Sequence, residues 1–294
     1  MANLAVGDQL GELKILGAIG EHQFRAAHVT RPLRAIVTIG SAENWRDSAI
    51  RFLRASRLVE ALDHPGIARV LDHGVLPDRR PWLACEVPSG MLLKDVIVRR
   101  AMPVVEVIAL VRDVADVLAY AHARGAHHQA LSLHAIVLAT GARAFPLVVA
   151  DWGMGEDDGG AFAAPEGARG DGRADIYALG TIAYRAVAGH FPQDGARDLR
   201  NAPAALASLI ARMLDPDPEA RPSAADVRGA ALALIATIVD SPEPEDGDDV
   251  ARATPRFAMP KWTPSPDVPI TSEVSSTVAG EIAVKPEKPE KLPE

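Results

Sequence analysis

Residues 173–189 have the sequence RADIYALGTIAYRAVAG. From Ile176 to Ala188 the apolar residues lie on nearly every side of a helix, and Gly189 follows as a typical helix stop. A helix that is apolar on all sides is buried among other elements rather than placed at a surface. This stretch therefore predicts a helix in the middle of a helical unit.

Two further helices are predicted on either side of this stretch. Pro103 opens the first, whose apolar residues recur at i, i+3 and i+4 spacing until Gly125 ends it. The other begins at Ser223, and Asp226 lies three residues later as the partner expected in a capping box. We assign the helical unit to residues 89–240.

Residues 1–88 have a different pattern. Short alternating runs separated by turn residues predict an antiparallel sheet, with strands at 12–19, 24–29, 35–39, 68–71 and 82–87. One helix is predicted between these strands, over 45–62. The predicted fold class is therefore α+β, with a small antiparallel β lobe followed by a larger helical lobe.

The composition of this chain of 294 residues limits its functions. Its formal charge of −8 argues against a basic face for nucleic acid. Its one cysteine, Cys85, excludes a disulfide framework and zinc sites with several cysteines. The longest apolar run, 230–239, has about half the length that a membrane-spanning helix needs. Residues 1–10 lack the basic region of a secretory signal. We expect a cytoplasmic protein without a membrane segment.

The last part of the chain, residues 241–294, is rich in proline and acidic residues and has almost no helical or strand periodicity. Such a segment buries too little apolar surface to offset its ordering entropy, so we predict a disordered tail. Residues 256–262, with the sequence RFAMPKW, place aromatic side chains among basic ones. They leave open a short docking motif within the tail.

Several short motifs occur along residues 62–223 in an order that resembles the bacterial serine/threonine protein kinases of the eukaryotic-like type. They are LDHPGI at 62–67, AHARG at 121–125, Asp151-Trp152-Gly153, Ala164-Pro165-Glu166, RADIYALG at 173–180 and DPEARPS at 217–223. The resemblance covers about 220 residues and implies a two-lobed protein-kinase-like fold. The tryptophan of Asp151-Trp152-Gly153 departs from the family's phenylalanine.

The resemblance also locates the family's catalytic positions, and most of them are changed. The strand lysine falls at Val37 or Thr38, and we favour Val37; the helix glutamate falls at Ala55. In the catalytic loop the base falls at Ala130 and the magnesium-binding asparagine at Ala135. A shift of register does not restore them, because the chain has no lysine at 15–93, no aspartate at 117–150 and no asparagine at 45–200.

Other positions of the motifs are retained. Asp151 stands where the family binds magnesium. We favour a structural role for it, and a vestigial role in nucleotide binding is the alternative. The resemblance implies an ion pair between Glu166 and Arg221, and contacts from Asp175 to the backbone of the catalytic loop. His128, Trp152 and Gly153 are expected to have structural roles, with His128 and Trp152 stacked between the lobes.

Two further segments favour a loss of catalysis. Residues 20–26, in the place of the glycine-rich loop, keep only Gly20 and look like an ordinary hairpin turn, which makes a poor phosphate cradle. The segment between the Asp151 and Ala164 motifs, residues 154–163, has no serine, threonine or tyrosine to phosphorylate.

We therefore expect a pseudokinase, a catalytically inactive scaffold or allosteric regulator of a protein partner such as an active kinase or its substrate. No cofactor is expected. Two alternatives remain open. One is a divergent kinase or nucleotide sensor that binds ATP and Mg²⁺ weakly through Asp151, with Arg25 or Arg34 reaching the phosphates. The other is a cleft that takes an apolar ligand.

Three other groups of residues carry weaker hypotheses. His122, His127, His128 and His134 fit no familiar metal-ligand spacing, so no metal site is expected. Cys85 is interpreted as a small core residue. Arginines at 79–80 and 99–100 are interpreted as solvated surface, with contact to an acidic partner as the alternative.

Overall fold

A six-stranded antiparallel sheet occupies the first part of the computed structural model. Its strands are β1 (Gln9–Leu10), β2 (Leu13–Ala18), β3 (Gln23–His28), β4 (Arg34–Ile39), β5 (Val70–Val75) and β6 (Pro81–Glu86), in the order β1-β2-β3-β4-β6-β5. The structure describes residues 4–19, 22–40, 52, 56–99, 102–140, 144–152, 160–167, 171–192, 199–200 and 202–239.

The alternating pattern of β4 divides this sheet into two faces. Ala35, Val37 and Ile39 are buried and point to one face, because successive side chains of a strand alternate. They belong to an apolar cluster that we call the first core: Leu13, Ile15, Phe24, Ala26, Ala35, Val37, Ile39, Leu76, Trp82 and Ala84. The predicted sheet is therefore confirmed, with β5 extending further than the run 68–71 suggests.

The predicted helix over 45–62 lies largely outside the described residues. Within them, Phe52 and residues 56–60 are helical, and the chain leaves the helix before His64. The predicted tail, 241–294, also lies outside the described residues.

The helical part contains helices α1 (Leu93–Arg99), α2 (Val104–His122), α3 (Arg173–Ala188), α4 (Ala204–Met213) and α5 (Ala224–Val239), with a short 3₁₀ helix at Pro218–Ala220. A second antiparallel sheet has the order β7-β8-β9, from β7 (Gly90–Leu92), β8 (Ile136–Ala139) and β9 (Leu147–Val149). Helix α3 is buried over most of its length, as its sequence predicts. The α+β fold with a sheet lobe and a helical lobe is confirmed.

The two sheets are linked close to the start of β5. Ile67 forms a parallel bridge with Val149, the Ala68 amide donates to the Val149 carbonyl at 3.0 Å, and the Val149 amide donates to the Gly66 carbonyl at 2.8 Å. A Cβ at Gly66 would lie 2.6 Å from a methyl carbon of Val117 and 2.8 Å from the ring of Phe145. Glycine is therefore required here by the close approach of helix α2.

The end of α3 and the start of α5 match their sequence signals. Gly189 follows α3 with a φ of 79°, in the left-handed region where glycine is favoured. Before α5, the Asp226 amide donates to the Ser223 hydroxyl oxygen at 3.2 Å, and the Ser223 amide donates to the Asp226 carboxylate at 3.1 Å. These reciprocal bonds form the predicted capping box, and the hydrogen bond from Ser223 lowers the pKa of Asp226.

We expect Ser223→Ala to lower the free energy of unfolding by about 1 kcal/mol, because it removes the side-chain cap of α5. Urea unfolding followed by circular dichroism measures this change. Ser208→Ala, at an exposed position within α4, is the matched control and should cost less than about 0.5 kcal/mol. Equal effects of the two substitutions would contradict the capping role.

Candidate functional site

A loop between α2 and β8 is held by the buried carboxylate of Asp175, in the first turn of α3. One oxygen of Asp175 accepts a hydrogen bond from the His128 amide and the other from the Gln129 amide, both at 2.8 Å. The His122 ring nitrogen Nε2 lies 2.9 Å from the same carboxylate. The loop backbone is therefore fixed to α3 without using a side chain of the loop.

Strained backbone accompanies these bonds. Gln129 has a φ of 66° and Asp151 a φ of 60°, both in the left-handed region that non-glycine residues adopt rarely. Such strain persists where the surroundings over-determine the conformation. At Gln129 the hydrogen bond from its amide to Asp175 supplies this constraint. The sequence gives no sign of the strain, because neither Gln129 nor Asp151 is a glycine.

His128 and Trp152 form a buried pair between the loop and the end of β9. Their ring centroids are 4.9 Å apart. His128 Nε2 lies 2.8 Å from the Ala150 carbonyl oxygen, and Trp152 Nε1 donates to the Val149 carbonyl at 3.0 Å. The bond to a carbonyl requires a proton on Nε2, so this nitrogen is the donor in the neutral ring.

Burial sets the charge state of these groups. Burial lowers the pKa of His128, although the charge of Asp175 acts against this shift. For Asp175, burial alone would raise the pKa, but the hydrogen bond from His122 and the interactions with His128 together lower it. The site therefore contains an ionised Asp175 that contacts a neutral His128.

Ala130 and Ala135 lie in this loop, where the resemblance implies a base and a magnesium ligand. Ala130 is half-buried and its amide lies 3.4 Å from His128 Nδ1. Ala135 is buried, and its carbonyl accepts a hydrogen bond from the Ala150 amide at 2.8 Å. A methyl side chain can neither accept a proton nor bind a metal ion. The predicted positions Ala55 and Gly153 lie outside the described residues.

The register of β4 separates the two candidate positions of the strand lysine, Val37 and Thr38. Val37 lies in the first core opposite Ala84, whereas Ile36 pairs with Cys85 and Thr38 with Leu83 on the other face of the sheet. The face of Cys85 is the one close to Asp151. Burial, followed by the charges of Asp151 and Glu86, raises the pKa of the Cys85 thiol to about 12. Of the two candidate positions, Thr38 lies on the face of Cys85 and Val37 lies on the other face.

Asp151 is the retained carboxylate at the end of β9. Burial raises its pKa, while His128 and His134 act in the opposite direction. A hard cation such as Mg²⁺ takes oxygen ligands, usually one or two carboxylates together with phosphates and waters. The resemblance implies a second magnesium ligand at Ala135, whose methyl side chain cannot bind the ion. Of the two implied ligand positions, only Asp151 therefore carries a carboxylate.

The segment in the place of the glycine-rich loop joins β2 and β3. The Ile19 amide donates to the Gln23 carbonyl at 2.8 Å, so the two strands pair up to these residues. Gly20 and Glu21 lie outside the described residues. In β3, Arg25 pairs with Ile36, so its side chain belongs to the face of Cys85.

Glu166 and Arg221 form the ion pair that the motifs imply. Arg221 Nη1 donates to Glu166 Oε1 at 2.5 Å, and Nη2 donates to Oε2 at 2.7 Å. The Arg221 side chain is 0% exposed and the Glu166 side chain 25%, so the pair is buried on one side. Arg221 also donates to the carbonyls of Asp215, Arg173 and Pro216. The hydrogen bond from Arg221 lowers the pKa of Glu166.

Other candidate groups have structural surroundings. The rings of His122 and His127 are in edge contact at 5.3 Å. Among the described residues there is no group of three His, Cys, Asp or Glu side chains arranged to hold a metal ion. The helices in the described part of the chain are too short or too polar to span a membrane.

Comparisons with known proteins point to one class of enzyme, although no protein-family model matches the chain. The chain is 28% identical over 271 residues to the serine/threonine-protein kinase pkn2 of Myxococcus xanthus, covering 79% of this chain and 31% of pkn2. It is 28% identical over 244 residues to PknJ of Mycobacterium tuberculosis, covering 76% of this chain and 40% of PknJ. It is 36% identical over 151 residues to PknI of M. tuberculosis, covering 49% of this chain and 25% of PknI.

The solved structures agree with these sequence relatives. The crystal structure of the M. tuberculosis PknI kinase domain matches with a TM-score of 0.64 and 27% identity, covering 79% of this chain and 98% of that domain. The chain thus spans less than half the length of the curated relatives but nearly all of a solved kinase domain. The predicted two-lobed kinase-like fold is confirmed.

We expect Arg221→Met to lower the free energy of unfolding by roughly 3–5 kcal/mol, because it leaves a charged Glu166 and three carbonyls without their partner. Chemical unfolding measures the loss. Arg228→Met is the matched control, since Arg228 forms an ion pair with Asp116 at an exposed position. Its cost should be about 0–1 kcal/mol. Similar small losses for both variants would contradict the role of Arg221.

His128 predicts a dependence of stability on pH. Its pKa is lowered in the folded state, so the unfolded chain takes up a proton near pH 6.5 that the folded chain does not. The free energy of unfolding should therefore fall as the pH decreases below about 6.5. Melting between pH 7.5 and 5.5 should show a shallower decline for His128→Gln than for the wild type. The control variant His190→Gln, at an exposed position, should show the same decline with pH as the wild type. If His128→Gln also declined as the wild type does, His128 would not be the cause of the pH dependence.

Proposed function

We propose that this protein-kinase-like domain, which is related to bacterial serine/threonine kinases, does not transfer phosphate and acts as a scaffold or allosteric regulator of a protein partner. The observation that supports this proposal best is that one loop keeps its backbone hydrogen bonds but lacks the side chains that catalysis needs. Asp175 fixes the loop backbone through His128 and Gln129, while Ala130 and Ala135 stand where the resemblance implies the base and the metal ligand.

Phosphoryl transfer depends on groups that position phosphates, bind magnesium and orient the nucleophile. Among the described residues, neither Val37 nor Thr38 supplies the strand lysine that the resemblance implies, and Asp151 is the one retained position of the implied metal ligands. Removal of a general base alone lowers rates by roughly 10²–10⁴-fold. The losses of catalytic groups that act as a unit are not additive, so the groups that remain do not restore the rate. The residues present therefore fit a magnesium nucleotide poorly.

The contacts that hold the kinase-like shape are retained. The buried Arg221 holds Glu166 in the helical lobe, and Asp175 holds the backbone of the loop. A protein that keeps this framework without the reactive groups can still present a kinase-like surface to other proteins. We propose an active kinase or a kinase substrate as the class of partner.

A weak nucleotide sensor is the second candidate, and two observations favour it. Asp151 is retained beside the loop, and Arg25 lies on the face of the sheet that also holds Cys85 and Thr38. A guanidinium on this face would offer charge to a phosphate, although its reach and geometry differ from those of lysine. This candidate predicts binding without efficient transfer.

Two assays on the full chain test these functions, with an active bacterial serine/threonine kinase as positive control. Incubation with radiolabelled ATP, Mg²⁺ and a generic acceptor should give no label above that of the Asp151→Ala variant. Melting with about 1 mM ATP and Mg²⁺ should leave the transition unchanged, because only a ligand that binds the folded state raises its stability.

Each other outcome has a defined meaning. Label transfer that Asp151→Ala abolishes would overturn the proposed function. A shift of several degrees without transfer, abolished by Asp151→Ala and reduced by Arg25→Gln, would favour the nucleotide sensor. Arg31→Gln, at an exposed turn position, serves as the matched control for loss of a positive charge.

A further inference from the structure

A row of residues crosses the first sheet on the face opposite the first core. Gln9 pairs with Lys14, Lys14 with Ala27, and Ala27 with Arg34. The Val87 amide donates to the Arg34 carbonyl at 3.0 Å, which continues the register of β4 and β6 by one residue. Residues that pair directly place their side chains on the same face of a sheet. We call Gln9, Lys14, Ala27, Arg34 and Val87 the basic row.

The basic row is open to solvent. Leu13 and Ala35, which precede and follow members of the row along their strands, are each 1% exposed because they point into the first core. Lys14 and Arg34 point the other way and are exposed. Val87, at one end of the row, is an apolar side chain that is 41% exposed. The row therefore presents two long cationic side chains with apolar surface beside them.

The strands that carry the row contain only positive charges. Strands β2, β3 and β4 include Lys14, Arg25 and Arg34, and they have no aspartate or glutamate. Within the described part of the chain, no side chain forms an ion pair or a hydrogen bond with the charged group of Lys14 or Arg34. The chain as a whole has a formal charge of −8, so this face is opposite in sign to the molecule.

The acidic residues next to the row along the chain are engaged elsewhere. The Glu12 carboxylate, in the turn before β2, lies 3.0 Å from His28 Nε2. The Asp8 carboxylate accepts a hydrogen bond from a backbone amide of its own turn at 2.8 Å. Glu86 belongs to the opposite face of the sheet, and Arg69 Nε lies 3.5 Å from its carboxylate. None of these three carboxylates neutralises the cations of the row.

The row lies at the end of the sheet away from the segment that joins β2 and β3. Lys14 is the second residue of β2 and Arg34 the first of β4. Residues 20–21 and 41–51, which lie outside the described part of the chain, follow the other ends of these two strands. At about 3.3 Å per residue, those ends are roughly 13 and 17 Å away. The row thus shares the face of Cys85 but is separate from the place of the glycine-rich loop.

We propose that the basic row is a docking site for an extended segment of a protein partner that carries acidic side chains at alternate positions, with a small aliphatic residue between them. The acidic side chains would meet Lys14 and Arg34, and the residue between them would pack on Ala27. The proposal rests on the proposed function and deepens it, because it names the chemistry of the protein partner.

The spacing of the cations suits an extended segment better than a single small anion. One strand separates Lys14 from Arg34, so their Cα atoms are roughly 10 Å apart. Alternate side chains of an extended segment point the same way and are about 7 Å apart. The flexible stems of lysine and arginine accommodate the difference. A nucleic acid would bring a longer run of negative charge, which the rest of this acidic molecule repels.

Fluorescence polarisation with the full chain tests the proposal. The probes are labelled peptides of about ten residues in which Glu alternates with Ala, together with matched peptides that carry Gln or Lys in place of Glu. We expect the Glu peptide to bind more tightly than the Gln peptide, and its binding to weaken between about 50 and 300 mM salt because exposed charges are screened. Lys14→Gln and Arg34→Gln should each weaken it roughly two- to fivefold, as loss of one exposed ion pair does.

A charge exchange separates docking from a loss of folding. The full chain with both Lys14→Glu and Arg34→Glu should bind the Glu peptide roughly tenfold or more weakly, and it should bind the Lys peptide more tightly than the wild type does. Arg212→Gln removes an exposed cation from α4, in the helical lobe, and is the matched control. It should bind the Glu peptide as the wild type does. Circular dichroism and melting establish that each variant is folded.

Several results would overturn the proposal. They are equal binding of the Glu and Gln peptides, equal losses in Arg34→Gln and Arg212→Gln, and no gain of the Lys peptide in the charge exchange. Displacement of the Glu peptide by about 1 mM ATP and Mg²⁺ would assign the cations to a nucleotide instead. Tighter binding of a single-stranded oligonucleotide of about ten residues would assign them to a nucleic acid.

The acidic run of this chain at 243–249, with the sequence EPEDGDD, is the other occupant to test. A full-chain variant with Glu243→Gln, Glu245→Gln, Asp246→Asn, Asp248→Asn and Asp249→Asn should bind the Glu peptide as the wild type does. Tighter binding by this variant would show that the run competes for the row and would overturn the assignment to a partner. Phosphate transfer by the wild type would refute the proposed function alone, since peptide binding to the row does not depend on it.

Discussion

The carboxylate of Asp175 is the constraint on which the candidate site depends. A buried charge is tolerated only when it is paired and hydrogen-bonded, and Asp175 meets this condition with two loop amides and the ring of His122. The same bonds hold Gln129 in a strained conformation and orient the ring of His128 towards Trp152. Because these bonds reach backbone amides, the loop keeps its shape whatever side chains follow at Ala130 and Ala135.

Arg221 has a similar role in the helical lobe. Its side chain joins Glu166, which lies 55 residues earlier, to the carbonyls of the segment at 215–216 that leads into the 3₁₀ helix. Burial of a guanidinium without these acceptors would be costly, so the surrounding segments are fixed together. The two anchors, Asp175 and Arg221, both act through groups that take no part in chemistry. The framework is therefore stable independently of the catalytic positions.

Much of this arrangement can be predicted from the sequence, and the failures have physical causes. The apolar pattern of α3 and the Ser223–Asp226 capping box depend on neighbouring residues, so the sequence displays them directly. The sequence alone does not decide between Val37 and Thr38, because alternation defines two faces of β4 but not which of them lies near Asp151. That requires the register of Cys85, a partner distant in sequence.

The retention of Asp151 has an explanation that does not involve magnesium. Its backbone adopts a left-handed conformation, which aspartate and asparagine tolerate better than most other residues. Its pKa is raised by burial, and neither Val37 nor Thr38 provides the cation that the resemblance implies on the strand. A carboxylate kept for metal binding would be expected among other ligands or near a permanent positive charge. The groups that interact with Asp151 are His128 and His134. The left-handed backbone conformation at the end of β9 is therefore sufficient to favour aspartate there.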